Sequence, residues 1–168
     1  MRKSGIGLIA VAAIAMAAPT VEATAASDAG PVASKSSSKK NRSRARSYLL
    51  GEWNSSGSGV SITVAFCRDG TYGFRVLKDN GGRPSDTTFD GSWRVTSAGK
   101  ASARVRYTIE HFKSAYIDGS PGPDSFPGSP AVLAARATSR STATFDGVPF
   151  SRGPGTCSSV TALLSAGA

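Results

Sequence analysis

Leu49-Leu50-Gly51-Glu52-Trp53, an alternating stretch from residue 59 to Phe66, Asp69-Gly70-Thr71-Tyr72, and then Phe89-Asp90-Gly91-Ser92-Trp93 decide the fold of this chain. A Gly-x-Trp opening, a tight Asp-Gly hairpin and a second Gly-x-Trp describe a meandering antiparallel sheet that curls on itself. Val60, Ile62, Val64 and Phe66 share one face, and Ser61, Thr63, Ala65 and Cys67 share the other, the period of two of a half-buried strand. Asp69-Gly70 supplies a turn that can reach positive φ. Tyr72, Phe74 and Val76 line the next strand, and Asp79-Asn80-Gly81-Gly82 makes a turn after which Pro84 stops the ladder from continuing. Phe89, Gly91, Trp93 and Val95 line a third strand.

Residues 102–112 read as the clearest strand. Ala103, Val105, Tyr107, Ile109 and His111 face one way; Arg104, Arg106, Thr108, Glu110 and Phe112 face the other. A Pro-rich loop follows over 117–130, of a length that in a compact domain is commonly functional or disordered. Residues 131–137 and 140–146 read as two more strands, and Leu49-Leu50 opens the domain as a short helical turn or a first strand. No amphipathic helix is expected outside the N-terminal segment. Six clear strands, and eight in all, indicate an all-β domain. Sequential hairpins favour a small antiparallel up-and-down β-barrel over a sandwich, because closure leaves no open edge.

Residues 1–26 have the form of a signal peptide: Arg2 and Lys3, an apolar run over 5–18, and Ala23-Thr24-Ala25 as a cleavage site. That run is short for a membrane span, which needs about 20 residues, so the mature chain is expected to be periplasmic or secreted, without a transmembrane segment. Residues 27–47 hold no aromatic residue and are expected to be a disordered basic Ser-rich linker. The barrel domain is expected over 48–157, with a small-residue tail at 158–168. Lys35, Lys39, Lys40, Arg42, Arg44 and Arg46 give the arm six cations against Asp28, whereas residues after 47 carry twelve cations and nine carboxylates. Such an arm suits an anionic envelope surface or serves as a spacer; nucleic acid is disfavoured as a partner of an exported chain. Cys67 and Cys157 are the only cysteines and, in an exported chain, are expected to form a disulfide. Closing a loop of that length is worth roughly 4–5 kcal/mol on the chain-entropy account.

The pattern resembles the bacterial lipocalin-like domains of the calycin group. The residues that carry it are Leu49, Gly51 and Trp53; Phe66, Asp69, Gly70, Thr71 and Tyr72; and Gly91, Trp93 and Val95. The resemblance covers mainly residues 49–95. It implies a barrel whose first Trp, Trp53, plugs the floor and whose mouth holds a small apolar ligand. Gly51, Trp53, Gly70, Tyr72, Gly91 and Trp93 would be structural.

Catalytic chemistry is not expected. Gly-x-Ser-x-Gly is absent, and His111 is the one imidazole. A zinc site would lack ligands, and no cofactor is implied. Asp69, Asp90 and Asp146 each precede a Gly, so turn formation accounts for them. Small residues at 131–137 opposite Tyr107 and His111 place an expected ligand lining at Tyr107, His111, Leu133 and Ala135. Two functions remain open: a carrier of a small apolar or lipid-like ligand, or a protein-interaction module acting through its loops and basic arm.

Overall fold

The structure, a computed structural model, describes residues 34–155 and Cys157. The expected signal segment and the tail at 158–168 lie outside the described residues. Helix α1 (Ser34–Leu49) leads into strands β1 (Gly51–Gly57), β2 (Val60–Phe66), β3 (Thr71–Asp79), β4 (Pro84–Ala98), β5 (Ser102–Tyr107), β6 (His111–Tyr116), β7 (Ala131–Ala137), β8 (Thr142–Phe145) and β9 (Val148–Arg152). The sheet order is β3-β2-β1-β9-β8-β7-β5-β4-β6, and a further β3–β4 pairing closes it. All pairings are antiparallel, and eight strands form the ring; β6 adds to the edge of β4 that β5 occupies farther along. The expected up-and-down barrel is therefore the observed fold.

Two departures from the sequence reading concern local geometry. The strand expected over 102–112 is interrupted at 108–110. Trp93 pairs with Tyr107 and Asp90 with His111, so four steps on one strand oppose three on the other. The extra residue is a bulge, and it flips the side-chain parity beyond it. Gly91 makes the bulge possible, because a Cβ there would collide with the Thr108 carbonyl. Asp90-Gly91 is thus strand rather than turn. Asp69-Gly70 and Asp146-Gly147 are turns: Asp146 and Gly147 both sit at positive φ (48° and 85°) between β8 and β9. Pro84 opens β4 opposite Asp79 instead of ending the ladder.

The second departure is α1. Residues 34–47 are helical, not disordered, and the helix ends on the barrel floor. Its sequence is polar nearly throughout, which hid it. Ala45, Tyr48 and Leu49, spaced so that they share one helical face, are its apolar contacts with the core, and Arg46 lies over the Trp93 ring. Leu49 is buried, and the Tyr48 hydroxyl donates to a backbone carbonyl at Ser139 (2.9 Å) or Thr142 (2.6 Å). Lys39, Lys40, Arg42 and Arg44 remain exposed.

The lower barrel is a packed aromatic core. Trp53 is fully buried and its indole N–H donates to the Leu49 carbonyl at 2.8 Å. Trp53, Phe66, Phe145 and Phe150 meet in edge-on and tilted contacts, and Phe66 packs on Trp93 at 4.8 Å. Cys67 and Cys157 form the expected disulfide, with Cα atoms 5.5 Å apart.

Candidate functional site: the upper half of the barrel

Across β2, β3, β4 and β6, inward-facing residues lie in rows. Val64, Phe74, Phe89 and Phe112 form one row, and Ile62, Val76, Thr87 and Ser114 form the row above it. Below, Phe66 and Tyr72 are sealed. Above the floor, burial is incomplete: Ile62, Phe74, Val76, Phe89, Tyr107 and Leu133 are only half-buried although they point inward. Inward apolar side chains that stay partly open above a closed floor make the upper half, here called the cup, the candidate site. Phe74 stacks on Phe89 at 4.3 Å, and Tyr72 makes edge contacts with Phe89 (6.3 Å) and Tyr107 (5.4 Å), giving the cup a continuous aromatic wall.

At the base of that wall the Tyr72 hydroxyl is buried and has no hydrogen-bond partner among the described residues. An unpartnered buried hydroxyl costs about 1–3 kcal/mol, so the position favours a hydrogen-bonding partner in an otherwise apolar space. Burial pushes the phenol pKa of Tyr72 far up, with Tyr107, Asp90 and Glu110 adding to the rise. Tyr107 is raised as well, mainly by burial and then by Asp146. Both phenols are neutral donors at physiological pH.

The rim is polar. The Asp124 carboxylate, carried in by the Pro-rich loop, meets Lys78 Nζ at 2.5 Å and accepts from the Thr87 hydroxyl at 2.5 Å. Thr87 also meets Ser114 at 3.0 Å, and Asn80 donates to Ser85 at 2.8 Å. The loop follows the free edge of β6 through a bridge between Ala115 and Pro121. Phe126 packs edge-on against Phe112, and Ser129 Oγ accepts from the Ile109 N–H at 2.9 Å. Sequence reading marked this loop for its length but missed Asp124, whose role depends on the inward parity of Lys78 and Thr87 across 46 and 37 residues.

The four expected lining residues divide. Tyr107 and Leu133 point inward on neighbouring strands and are half-buried against the core. Ala135 faces the same way but is buried in the floor, beside a cavity of about 180 Å³ roofed by Ala45, Tyr48 and Leu49. His111 is outside: the bulge turns it to the outer face, where its imidazole is 80 % exposed and lies 3.0 Å from Asp90. Phe112 takes the inward position instead.

Gly51 (φ 106°) and Gly70 (φ 96°) hold left-handed backbone. Gly70 accepts from the Trp93 N–H at 2.7 Å, and the Trp93 indole donates to the Cys67 carbonyl at 3.1 Å. Among the described residues no group of His, Cys, Asp and Glu is arranged to hold a metal ion, and no helix is long and apolar enough to cross a membrane. Compared with protein-family models, with curated proteins and with solved structures, the chain matches none.

Proposed function

We propose that this is an exported, non-enzymatic, lipocalin-like barrel that binds a small apolar or lipid-like molecule in its upper half. The observation that carries the reading is the set of inward apolar side chains, Ile62, Phe74, Val76, Phe89, Tyr107 and Leu133, that stay half-open above a sealed aromatic floor. Ligand sites are typically such concave apolar spaces with a few placed polar groups. Here the polar groups are the Tyr72 hydroxyl at the base and the Lys78–Asp124–Thr87 cluster at the rim. A ligand with an apolar body and one polar end matches both.

The disulfide supports export, since such bonds persist in oxidising compartments. Native mass spectrometry of protein purified from its own host tests the reading. A retained small molecule that is lost when Val76 and Leu133 are both enlarged to Phe supports it; a molecule retained equally by that variant places binding elsewhere.

A further inference from the structure

From the outer face of β4, β5 and β7 we infer a second binding surface, for an anionic polysaccharide. Arg94 pairs directly with Arg106 across β4 and β5, Arg104 follows Arg106 on the same face of β5, and Arg136 on β7 is diagonal to Arg104. All four are exposed, and none has a carboxylate in salt-bridge range among the described residues. Three cations elsewhere on the barrel do, Arg75 with Asp86, Lys78 with Asp124 and Arg83 with Asp118, whereas the other unpaired ones, such as Arg68, Lys113 and Arg140, do not stand together on one face of three paired strands. The nearby Asp146 carboxylate is engaged by the Ala134 N–H at 2.8 Å.

Like charges directly opposite in a sheet are destabilising, so Arg94 opposite Arg106 is an unfavourable choice for folding alone. A bound polyanion offsets it. Cross-strand neighbours are about 5 Å apart and i, i+2 neighbours about 7 Å, so the four guanidinium groups meet successive oxyanions of one chain. Between Arg104 and Arg136 lies a shallow hollow of about 300 Å³ that Ser97, Ser102 and Thr144 also line. It gives one carboxylate, sulfate or phosphate group a pit with a cation on either side and hydroxyls for sugar oxygens.

The occupant follows from what the face lacks. Its outward residues include no aromatic side chain to stack on a base or to enter a bilayer; Val132, beside Arg106, is its one exposed large apolar group. A sugar chain needs neither. This surface is outside the cup and independent of it.

The test uses the chain from residue 27 with heparin as the probe, and runs phosphatidylglycerol vesicles and single-stranded DNA in parallel. The double variant Arg104→Gln/Arg106→Gln is expected to weaken heparin binding about tenfold or more. Lys39→Gln/Arg42→Gln removes the same charge from α1 and is expected to change it less than about threefold. The thermal midpoint shows that each variant folds; should the first pair fail, Arg94→Gln/Arg136→Gln probes the same face. Equal losses for face and helix variants, no loss for the face variants, or tighter binding to vesicles or DNA through the same arginines would overturn the inference. Uptake of an apolar probe, followed on the same variants, is expected to be unchanged, so the two sites fail separately.

Discussion

The Arg152 guanidinium lies 4.3 Å from the centre of the Trp53 ring while its two terminal nitrogens donate to the carbonyls of Leu50 (2.7 Å) and Tyr48 (2.6 Å). The last strand of the ring thereby holds the end of α1 against the floor plug of the first. Gly51 leaves room for it, since a Cβ there would sit 3.2 Å from the guanidinium. Replacing Arg152 with Ala removes the ring contact and both donors. The expected loss is about 1–3 kcal/mol in urea unfolding. Lys recovers only part of it, because an ammonium cannot match the planar fork over the ring.

Trp53 and Gly51 were legible in the sequence because a Gly-x-Trp opening is a local pattern, and Asp69-Gly70 was legible because turn chemistry is local as well. Arg152 was not. Its strand, β9, contains Pro149 and only five residues, so it gives almost no periodic signal. Its partners are 102 and 104 residues away. His111 was misplaced for a related reason: one inserted residue reverses every later side chain, and no residue of 108–110 announces a bulge. The signal lay on the neighbouring strand, in Gly91.

The contribution of α1 is concentrated in its last turn. Removing residues up to Ser43 is expected to leave the thermal midpoint within a few degrees, because the polar turns touch little of the core. Extending the deletion through Tyr48 removes Ala45, the Arg46 contacts with Trp93 and the Arg68 carbonyl, and the Tyr48 hydroxyl. Tyr48→Phe alone is expected to cost about 1 kcal/mol. A midpoint unmoved by the longer deletion would show that the helix only rests on the floor.

Gly91→Ala tests the bulge. The Cβ has nowhere to go, since backbone rather than a movable side chain stands in its way. The expected cost is at least about 2–3 kcal/mol, measured by denaturant unfolding, with amide signals of 108–112 shifted by NMR. Gly81→Ala, in the open β3–β4 turn, meets no atom and serves as the control, carrying only the strain of its φ of 69°.

The rim is pH-sensitive through Asp124. Burial pushes its carboxyl up, but hydrogen bonds from Lys78 and Thr87, with the Lys78 charge, outweigh that and leave it below the ordinary carboxylate range. A depressed folded pKa means that the contribution is complete above the unfolded value and is lost as pH falls through the folded one. The loop at 117–130 is therefore expected to hold at neutral pH and to loosen only in strong acid, read as faster proteolysis or exchange at 117–128. Asp118 in the same loop, bonded by Ser120 and Arg83, is held at about 2 and loosens with it. Asp124→Asn should loosen the loop already at neutral pH. Unchanged protection in that variant would remove Asp124 from the closure.

The cup itself is tested most directly by titrating the chain from residue 27 with a fluorescent fatty acid and following energy transfer from Trp93 and Trp53. The account predicts saturation at one probe per chain, abolished in Val76→Phe/Leu133→Phe and weakened in Tyr72→Phe if the probe's carboxyl end reaches the base. Arg104→Gln/Arg106→Gln should bind as the parent does. No saturable binding by a folded parent chain, or equal binding by the filled variant, would contradict the assignment of the upper barrel as a ligand site.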